Sequence, residues 1–231
     1  MKKIGIIPQA DLLKTTSIYD DKYHFVNSYI ERINEVGALP VGMLPLNGRF
    51  QTSILEECDA LLIQGGSGIY GYHMDAMEHA VKTGKKVLGI CLGMQSIHTY
   101  FAVKEEAERI GWKESIADLY VKRREEGKTY IGYVPDHRAA SMPRHIIETT
   151  KHKVLLEKGT HIYDILGKEE IMGASMHTFC VKEPTKYEVV SGRAEDGTVE
   201  AIEVGDRIIG TQFHPDVDSK LIELFQWLVR E

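Results

Sequence analysis

A cysteine stands at the centre of Leu88-Gly89-Ile90-Cys91-Leu92-Gly93-Met94-Gln95, directly behind the apolar run Val87 to Ile90. A thiol between two glycines, where a buried strand turns into a helix, has the layout of a nucleophile elbow. Glycines permit the tight turn that pushes the side chain clear of the backbone. The following helix points its free N–H groups and positive dipole end at the sulfur, which favours the thiolate, the reactive form. Read alone, the same pattern also suits an inert, buried small hydrophobe. The nucleophile reading therefore depends on a base supplied from elsewhere in the chain.

Such a base is offered by Thr211-Gln212-Phe213-His214-Pro215-Asp216. The stretch from Arg207 to Phe213 reads as a buried strand ending in a Pro-marked turn, which is a rigid mount for His214. Asp216 follows two residues later, close enough to bond the second ring nitrogen and fix tautomer and orientation. Nucleophile, base and orienter make up the logic of a catalytic triad. Other histidines, among them His79, His98 and His152, lie in charged or helical surroundings. None has both a strand end before it and a carboxylate two residues after it.

A third element is Ala60-Leu61-Leu62-Ile63-Gln64-Gly65-Gly66-Ser67-Gly68, a core strand running into a glycine-rich turn. N–H groups of that turn, together with the N–H of Leu92, could form an oxyanion hole, although a plain tight turn would look the same. Neither G-x-G-x-x-G nor a G-K-[ST] ending is present, which argues against a phosphate loop.

The strand with its Gly-Gly turn, the Gly-Ile-Cys-Leu-Gly-Met-Gln elbow and the late His-Pro-acid occur in the order seen in class I glutamine amidotransferase domains, which the chain resembles. Further stretches narrow the resemblance to the branch of γ-glutamyl-γ-aminobutyrate hydrolases and related γ-glutamyl peptidases. They are Lys3-Ile4-Gly5-Ile6-Ile7-Pro8, Tyr29-Ile30-Glu31, Val36 to Val41, Leu44-Pro45-Leu46, Gly173 to His177 and Glu195 to Glu203. The resemblance covers nearly the whole chain. It implies Cys91 as nucleophile, His214 as base, Asp216 as third member, and Gly66 and Leu92 as oxyanion donors. Gly65, Gln95, Ser175, Met176 and His177 would hold the glutamyl head group of a small γ-glutamyl substrate, and no cofactor is implied.

Three features depart from that family's pattern. Relatives usually carry Glu two residues after the histidine, where this chain has the shorter Asp216, with Asp218 as a possible substitute. The loop after the Gly-Gly turn is short, Ser67 to Tyr72. The family's Gly-Gly-[Thr/Ser]-Leu-Tyr-Gln-Asp segment after the elbow helix is replaced by Phe101 to Thr129, rich in Lys, Glu and Arg. These leave the catalytic assignment standing but leave the identity of the leaving amine open.

Composition sets bounds on the rest. A chain of 231 residues, 43% hydrophobic and 27% charged, is enough for one large α/β domain with a proper core. A net charge of -6, with no Lys/Arg block interleaved with aromatics, gives no cause to expect nucleic acid. No apolar stretch approaches ~20 residues, so no transmembrane helix is expected. Met1-Lys2-Lys3 enters a strand without a signal-peptide core, and the three cysteines (Cys58, Cys91, Cys180) sit at unrelated spacings. Both features point to reduced thiols in a cytoplasm. No C-x-x-C, H-E-x-x-H or acidic loop suggests a metal site.

To position the site, the pattern predicts a doubly wound, mostly parallel sheet with flanking helices and a smaller antiparallel portion in the C-terminal half, in one domain over residues 1–231. Strands are expected at Lys3–Ile7, Leu39–Leu44, Ala60–Ile63 and Lys86–Ile90. Between them lie helices around Lys22–Val36, Thr52–Glu57 and Met74–Thr83, and the elbow helix starts at Leu92. Lys104–Arg109 and Ser115–Glu126 read as solvated helices over a sheet edge. Short β segments follow at His145–Glu148, Glu188–Ser191, Thr198–Val204 and Arg207–Gln212, with a hairpin at Gly205-Asp206. An amphipathic helix, Ser219–Arg230, closes the chain. Ligands of such sheets bind beyond the carboxyl ends of the strands, where Gly65-Gly66 and Cys91 fall. Two other functions stay open: a glutaminase subunit serving a separate synthetase, and a non-catalytic metabolite-binding member of the family. A homodimer is common among relatives.

Overall fold

The computed structural model describes residues 1–11, 21–134, 137 and 150–230. In chain order the strands are β1 (Lys3–Ile7), β2 (Gln9–Asp11), β3 (Lys22–His24), β4 (Leu39–Gly42), β5 (Ala60–Ile63), β6 (Lys86–Ile90) and β7 (Gly132–Tyr133). They continue with β8 (Lys151–Leu156), β9 (Glu170–Ala174), β10 (Phe179–Cys180), β11 (Val189–Ala194), β12 (Val199–Val204) and β13 (Ile208–Thr211). The helices are α1 (Asn27–Glu35), α2 (Thr52–Glu56), α3 (Gly71–Thr83), α4 (Leu92–Ile110), α5 (Ile116–Glu125), α6 (His161–Leu166) and α7 (Glu223–Val229).

Nine strands form the main sheet in the order β4-β1-β5-β6-β13-β12-β11-β8-β9. From β4 to β13 neighbours run parallel; from β13 to β9 they run antiparallel. The parallel half follows from composition: β5, β6 and β13 are short apolar runs buried at every residue, as strands covered on both faces must be. One core lies between the sheet and the face carrying α3, α4 and α5, and includes Met77, Met94, Ile97 and Leu119. A second, with Tyr29, Ile33, Ile162, Leu224 and Phe225, lies under α1, α6 and α7. Two small antiparallel ribbons, β2-β3 and β7-β10, stand apart from the main sheet. This is the α/β fold with flanking helices and an antiparallel portion that the sequence pattern predicts.

Several details differ from expectation. Lys104–Arg109 is the last part of α4 rather than a separate helix, because no breaker intervenes until Gly111, whose φ of 68° caps it. Helix α5 packs on α3 and α4, not over a sheet edge; its Leu119 and Tyr120 are buried, and its Asp118 and Arg123 pair with Arg49 and Glu106. The closing helix is shorter than predicted, since Ser219–Leu221 forms a 3-10 turn capped by the Asp218 side chain. The expected strand His145–Glu148 lies outside the described residues. No helix among the described residues is long and apolar enough to cross a membrane.

Candidate active site

Register brings the three predicted motifs together. Ile63 of β5 pairs with Gly89 of β6, and Ile90 with Thr211 of β13, so all three strands end at one edge. Cys91 donates its N–H to the Thr211 carbonyl at 2.7 Å, which carries the pairing one residue past the strand. At Cys91 itself the chain turns at φ 55°, ψ -106°, a strained region for a side-chain-bearing residue. The flanking glycines relieve crowding rather than torsion. A Cβ on Gly93 would stand 2.0 Å from the Ile63 carbonyl oxygen, and one on Gly89 2.6 Å from the Gly93 carbonyl carbon. The G-x-C-x-G spacing thus lets α4 press onto β5 and β6 while the strain falls on the cysteine.

His214 leaves β13 at the same edge and donates its N–H to the Ala174 carbonyl at the end of β9, 2.9 Å away. Its Nδ1 lies 3.2 Å from Asp216 Oδ1. Ser28 donates to the other Asp216 oxygen at 2.7 Å, and Arg32 Nε donates to its backbone carbonyl at 3.1 Å. Asp218 is instead 2.5 Å from Lys151 Nζ, so Asp216 is the carboxylate that faces the imidazole. A Cβ on Gly65 would lie 3.1 Å from His214 Cε1 and 3.5 Å from Cys91 Cβ, so ring and thiol side chain meet across this glycine. His214 Nε2 is buried with no hydrogen-bond partner among the described residues. Burial works against a charged ring, but negative charge on Cys91 and then Asp216 outweighs it, raising the His214 pKa to about 10. The site therefore favours a charged His214 ring beside the Cys91 side chain.

Of the remaining predicted residues, Gly66 and Leu92 lie beside Cys91. Leu92 is the first residue of α4, where an N–H has no partner within the helix. The Gly65 N–H is already used: it donates to the Tyr29 hydroxyl at 3.0 Å. Burial, and then the nearby Asp216, push the Tyr29 pKa well up, so this phenol stays neutral. Gln95 donates its amide hydrogens to Phe179 O at 2.9 Å and Gln212 Oε1 at 3.1 Å, which leaves its carbonyl oxygen for a ligand. Met176 is 40% exposed and borders the cleft. Ser175 departs from expectation. Its hydroxyl donates to the His137 carbonyl at 2.7 Å and it lines neither lobe of the cleft. His177 borders the cleft, but its two ring nitrogens face Phe179 O and Glu200.

The cleft passes Cys91 on two sides. One lobe, about 560 Å³, is bounded by Gln95, Thr129, Ile131 and Phe179; the other, about 370 Å³, by Tyr29, His214 and Asp216. Cys91, Gly66, Ser67 and Met176 border both. The charged insert buttresses the larger lobe. Tyr120 donates its hydroxyl to the Ile69 carbonyl at 2.8 Å, and the Arg124 guanidinium covers Tyr70 at 4.7 Å. Residues missed from sequence are Ser28, Tyr29 and Arg32. Their signal was faint: two hydroxyls and a guanidinium at i, i+1 and i+4 on the inward side of an amphipathic helix.

A family model described as glutamine amidotransferase class-I matches residues 18–225. Among solved structures, the glutaminase domain of Trypanosoma brucei CTPS with bound acivicin superposes with a TM-score of 0.65 at 16% identity, covering 99% of this chain and 91% of that one. A protein from Thermoplasma acidophilum, assigned to GMP synthase as one of its subunits, gives 0.63 at 16% identity, covering 99% and 92%. At such identity the two structures speak for the fold alone, whereas the family model spans most of the sequence. The chain belongs to the class-I glutamine amidotransferase family.

Proposed function

We propose that the protein hydrolyses the γ-glutamyl amide bond of a small molecule through a glutamyl thioester on Cys91, as one catalytic unit spanning residues 1–231. The observation that carries this reading is the strained Cys91 at the end of β6, with the His214–Asp216 pair mounted on the adjoining strand. The Cys91 thiolate attacks the δ-carbonyl carbon, and the Gly66 and Leu92 N–H groups receive the oxyanion. As the C–N bond breaks, His214 gives its Nε2 proton to the departing amine. The same nitrogen then takes a proton from water, whose oxygen adds to the thioester. Collapse of that adduct releases glutamate and restores the thiolate. Asp216 holds Nδ1–H throughout, and Ser28 and Arg32 hold Asp216.

The two lobes divide the substrate. A general acid must reach the leaving nitrogen, and His214 borders only the smaller lobe, so the amine departs there. The glutamyl head group then occupies the larger lobe, beside the Gln95 carbonyl oxygen. Ammonia would not need a lobe of about 370 Å³, which favours an organic amine as leaving group. This supports the γ-glutamyl hydrolase branch over glutamine hydrolysis. A second reading, a glutaminase that feeds ammonia to a separate synthetase, draws on the likeness to the two solved structures, one named as a glutaminase domain and the other as part of a synthase.

The test is glutamate release from a panel of γ-glutamyl amides and from glutamine, with wild type beside Cys91→Ala. Release from an organic amide that disappears in Cys91→Ala supports the hydrolase. Release from glutamine alone supports the glutaminase. Silence on the entire panel from folded protein removes the hydrolase and leaves a glutaminase that acts only beside its synthetase, or a binding protein.

A further inference from the structure

Behind the wall of the larger lobe lies a buried cluster that the proposed mechanism does not use. His137, His177 of the segment following β9, and Glu200 of β12 each turn a ligand-type atom inward, and these atoms lie within 4.8 Å of one another. We propose that His137 Nδ1, His177 Nε2 and the Glu200 carboxylate bind a divalent transition metal, with Zn²⁺ as the ion of choice.

Spacing is the first argument. Glu200 Oε1 lies 3.2 Å from His137 Nδ1 and 3.3 Å from His177 Nε2. A tetrahedral ion with bonds of about 2.0–2.1 Å holds its ligand atoms roughly 3.3–3.4 Å apart, so both Glu200 contacts match, and the set as a whole, within 4.8 Å, closes onto the ion by a small turn of the rings. Among the described residues none of these inward atoms has a hydrogen-bond partner despite full burial, as expected of atoms that converge on a common point rather than on each other.

Tautomers give the second argument. His177 Nδ1 lies 3.1 Å from the Phe179 carbonyl oxygen, which can only accept, so this nitrogen carries the hydrogen. His137 Nε2 lies 2.9 Å from the Asp196 carboxylate and carries its hydrogen for the same reason. In the neutral rings both inward nitrogens therefore aim lone pairs at carboxylate oxygens. Only positive charge between them resolves that contact. Protons would have to charge two buried rings whose centroids are 4.9 Å apart, whereas one metal ion serves both. An outer carboxylate or carbonyl on the far nitrogen of each histidine is also the usual second layer of a metal site. Here Asp196 is itself fixed by Thr198, through N–H at 2.9 Å and hydroxyl at 3.0 Å.

His152 Nε2 approaches Glu200 Oε1 at 3.3 Å but stands outside the close set, leaving three protein ligands. The role that fits is structural. The ion would tie the Met176–Phe179 wall of the cleft to β12, the strand beside the one that delivers His214. No motif announces the site because its ligands come from separate parts of the chain.

The experiment uses the full chain stripped with chelator, reloaded with Zn²⁺ and desalted, with metal content by elemental analysis and unfolding followed with and without Zn²⁺. Cys91→Ala is run in parallel, because zinc on the catalytic thiol is the main confounder. The expected result is one zinc per chain in both proteins. Tm should rise by about 5–10 °C at a hundredfold excess over Kd. Glu200→Gln should lose both effects. Asp196→Asn changes a half-exposed side chain outside the core, and should bind zinc about 10–100-fold more weakly in a chelator competition. Zinc that is absent from the wild type, or that disappears with Cys91→Ala, overturns the proposal and assigns the cluster to a protonated histidine–carboxylate network.

Discussion

Gly93→Ala is the substitution that the elbow geometry constrains most tightly. The added Cβ would lie 2.0 Å from the Ile63 carbonyl oxygen. Ordinary C···O contacts are roughly 3.4 Å, so α4 and β5 must separate by about 1.4 Å. Overpacking of this kind costs about 1–3 kcal/mol, a fall in Tm of roughly 2–12 °C for a chain of this size. The separation moves the N-terminus of α4, and with it Cys91 and the Leu92 N–H. Misplacing catalytic groups by about 1 Å costs on the order of 10²-fold in rate. The assay is Tm by differential scanning fluorimetry together with glutamate release. Gly84→Ala is the control: its φ of 68° gives a backbone penalty of about 1–2 kcal/mol. Nothing lies within 4 Å of the new methyl, so activity should be retained. Wild-type stability and activity in Gly93→Ala would refute the idea that helix-on-strand contact positions the nucleophile.

Three more outcomes are expected. Cys91→Gly and Cys91→Ala should both be inactive, but the glycine variant should be more stable by roughly 1 kcal/mol. Strain of about 1–3 kcal/mol is relieved against an entropy cost of about 0.5–1, and paired denaturant curves read the difference. In Cys91→Ala the His214 pKa should fall from about 10, because burial remains while the thiolate charge is gone; NMR titration of the ring measures it. Glu106 bears on acid stability. Burial opposes its ionisation, but Lys128, Tyr130 and Arg123 overcome this and hold its pKa near 2. A depressed carboxylate stabilises the fold above its unfolded pKa of about 4.5 and loses that contribution as pH falls toward 2. Between those values wild-type Tm should therefore drop more steeply than that of Glu106→Gln.

The sequence is most legible where burial is total. Strands β1, β5 and β6 have the predicted limits because an apolar run bounded by polar or glycine residues has only one way to sit between two helical layers. Cys91 and His214 come together for a related reason: each lies just past such a strand, and parallel register brings the strand ends to one place. The antiparallel half was harder. Strand β8 reads Lys-His-Lys-Val-Leu-Leu with only two buried residues, and β9 carries exposed Glu170 and Met172, so neither shows a clean apolar pattern. Helix α1 starts at Asn27 rather than Lys22, because Lys22–His24 pairs with Gln9–Asp11. That ribbon depends on partners at a distance that no local propensity encodes. Ser28 and Arg32 escaped notice for the same reason, since their partner is Asp216, more than 180 residues away along the chain.

The most direct measurement of the central claim is rapid acid quench of the wild-type protein during turnover of a γ-glutamyl amide, followed by mass analysis of the Cys91 peptide. The account predicts a glutamyl adduct on Cys91 that forms within the first turnover, is absent from Cys91→Ala, and persists longer in Asp216→Asn, where His214 is poorly oriented to activate water. Steady glutamate release with no adduct on Cys91 at any quench time, or equal release from Cys91→Ala, would contradict it.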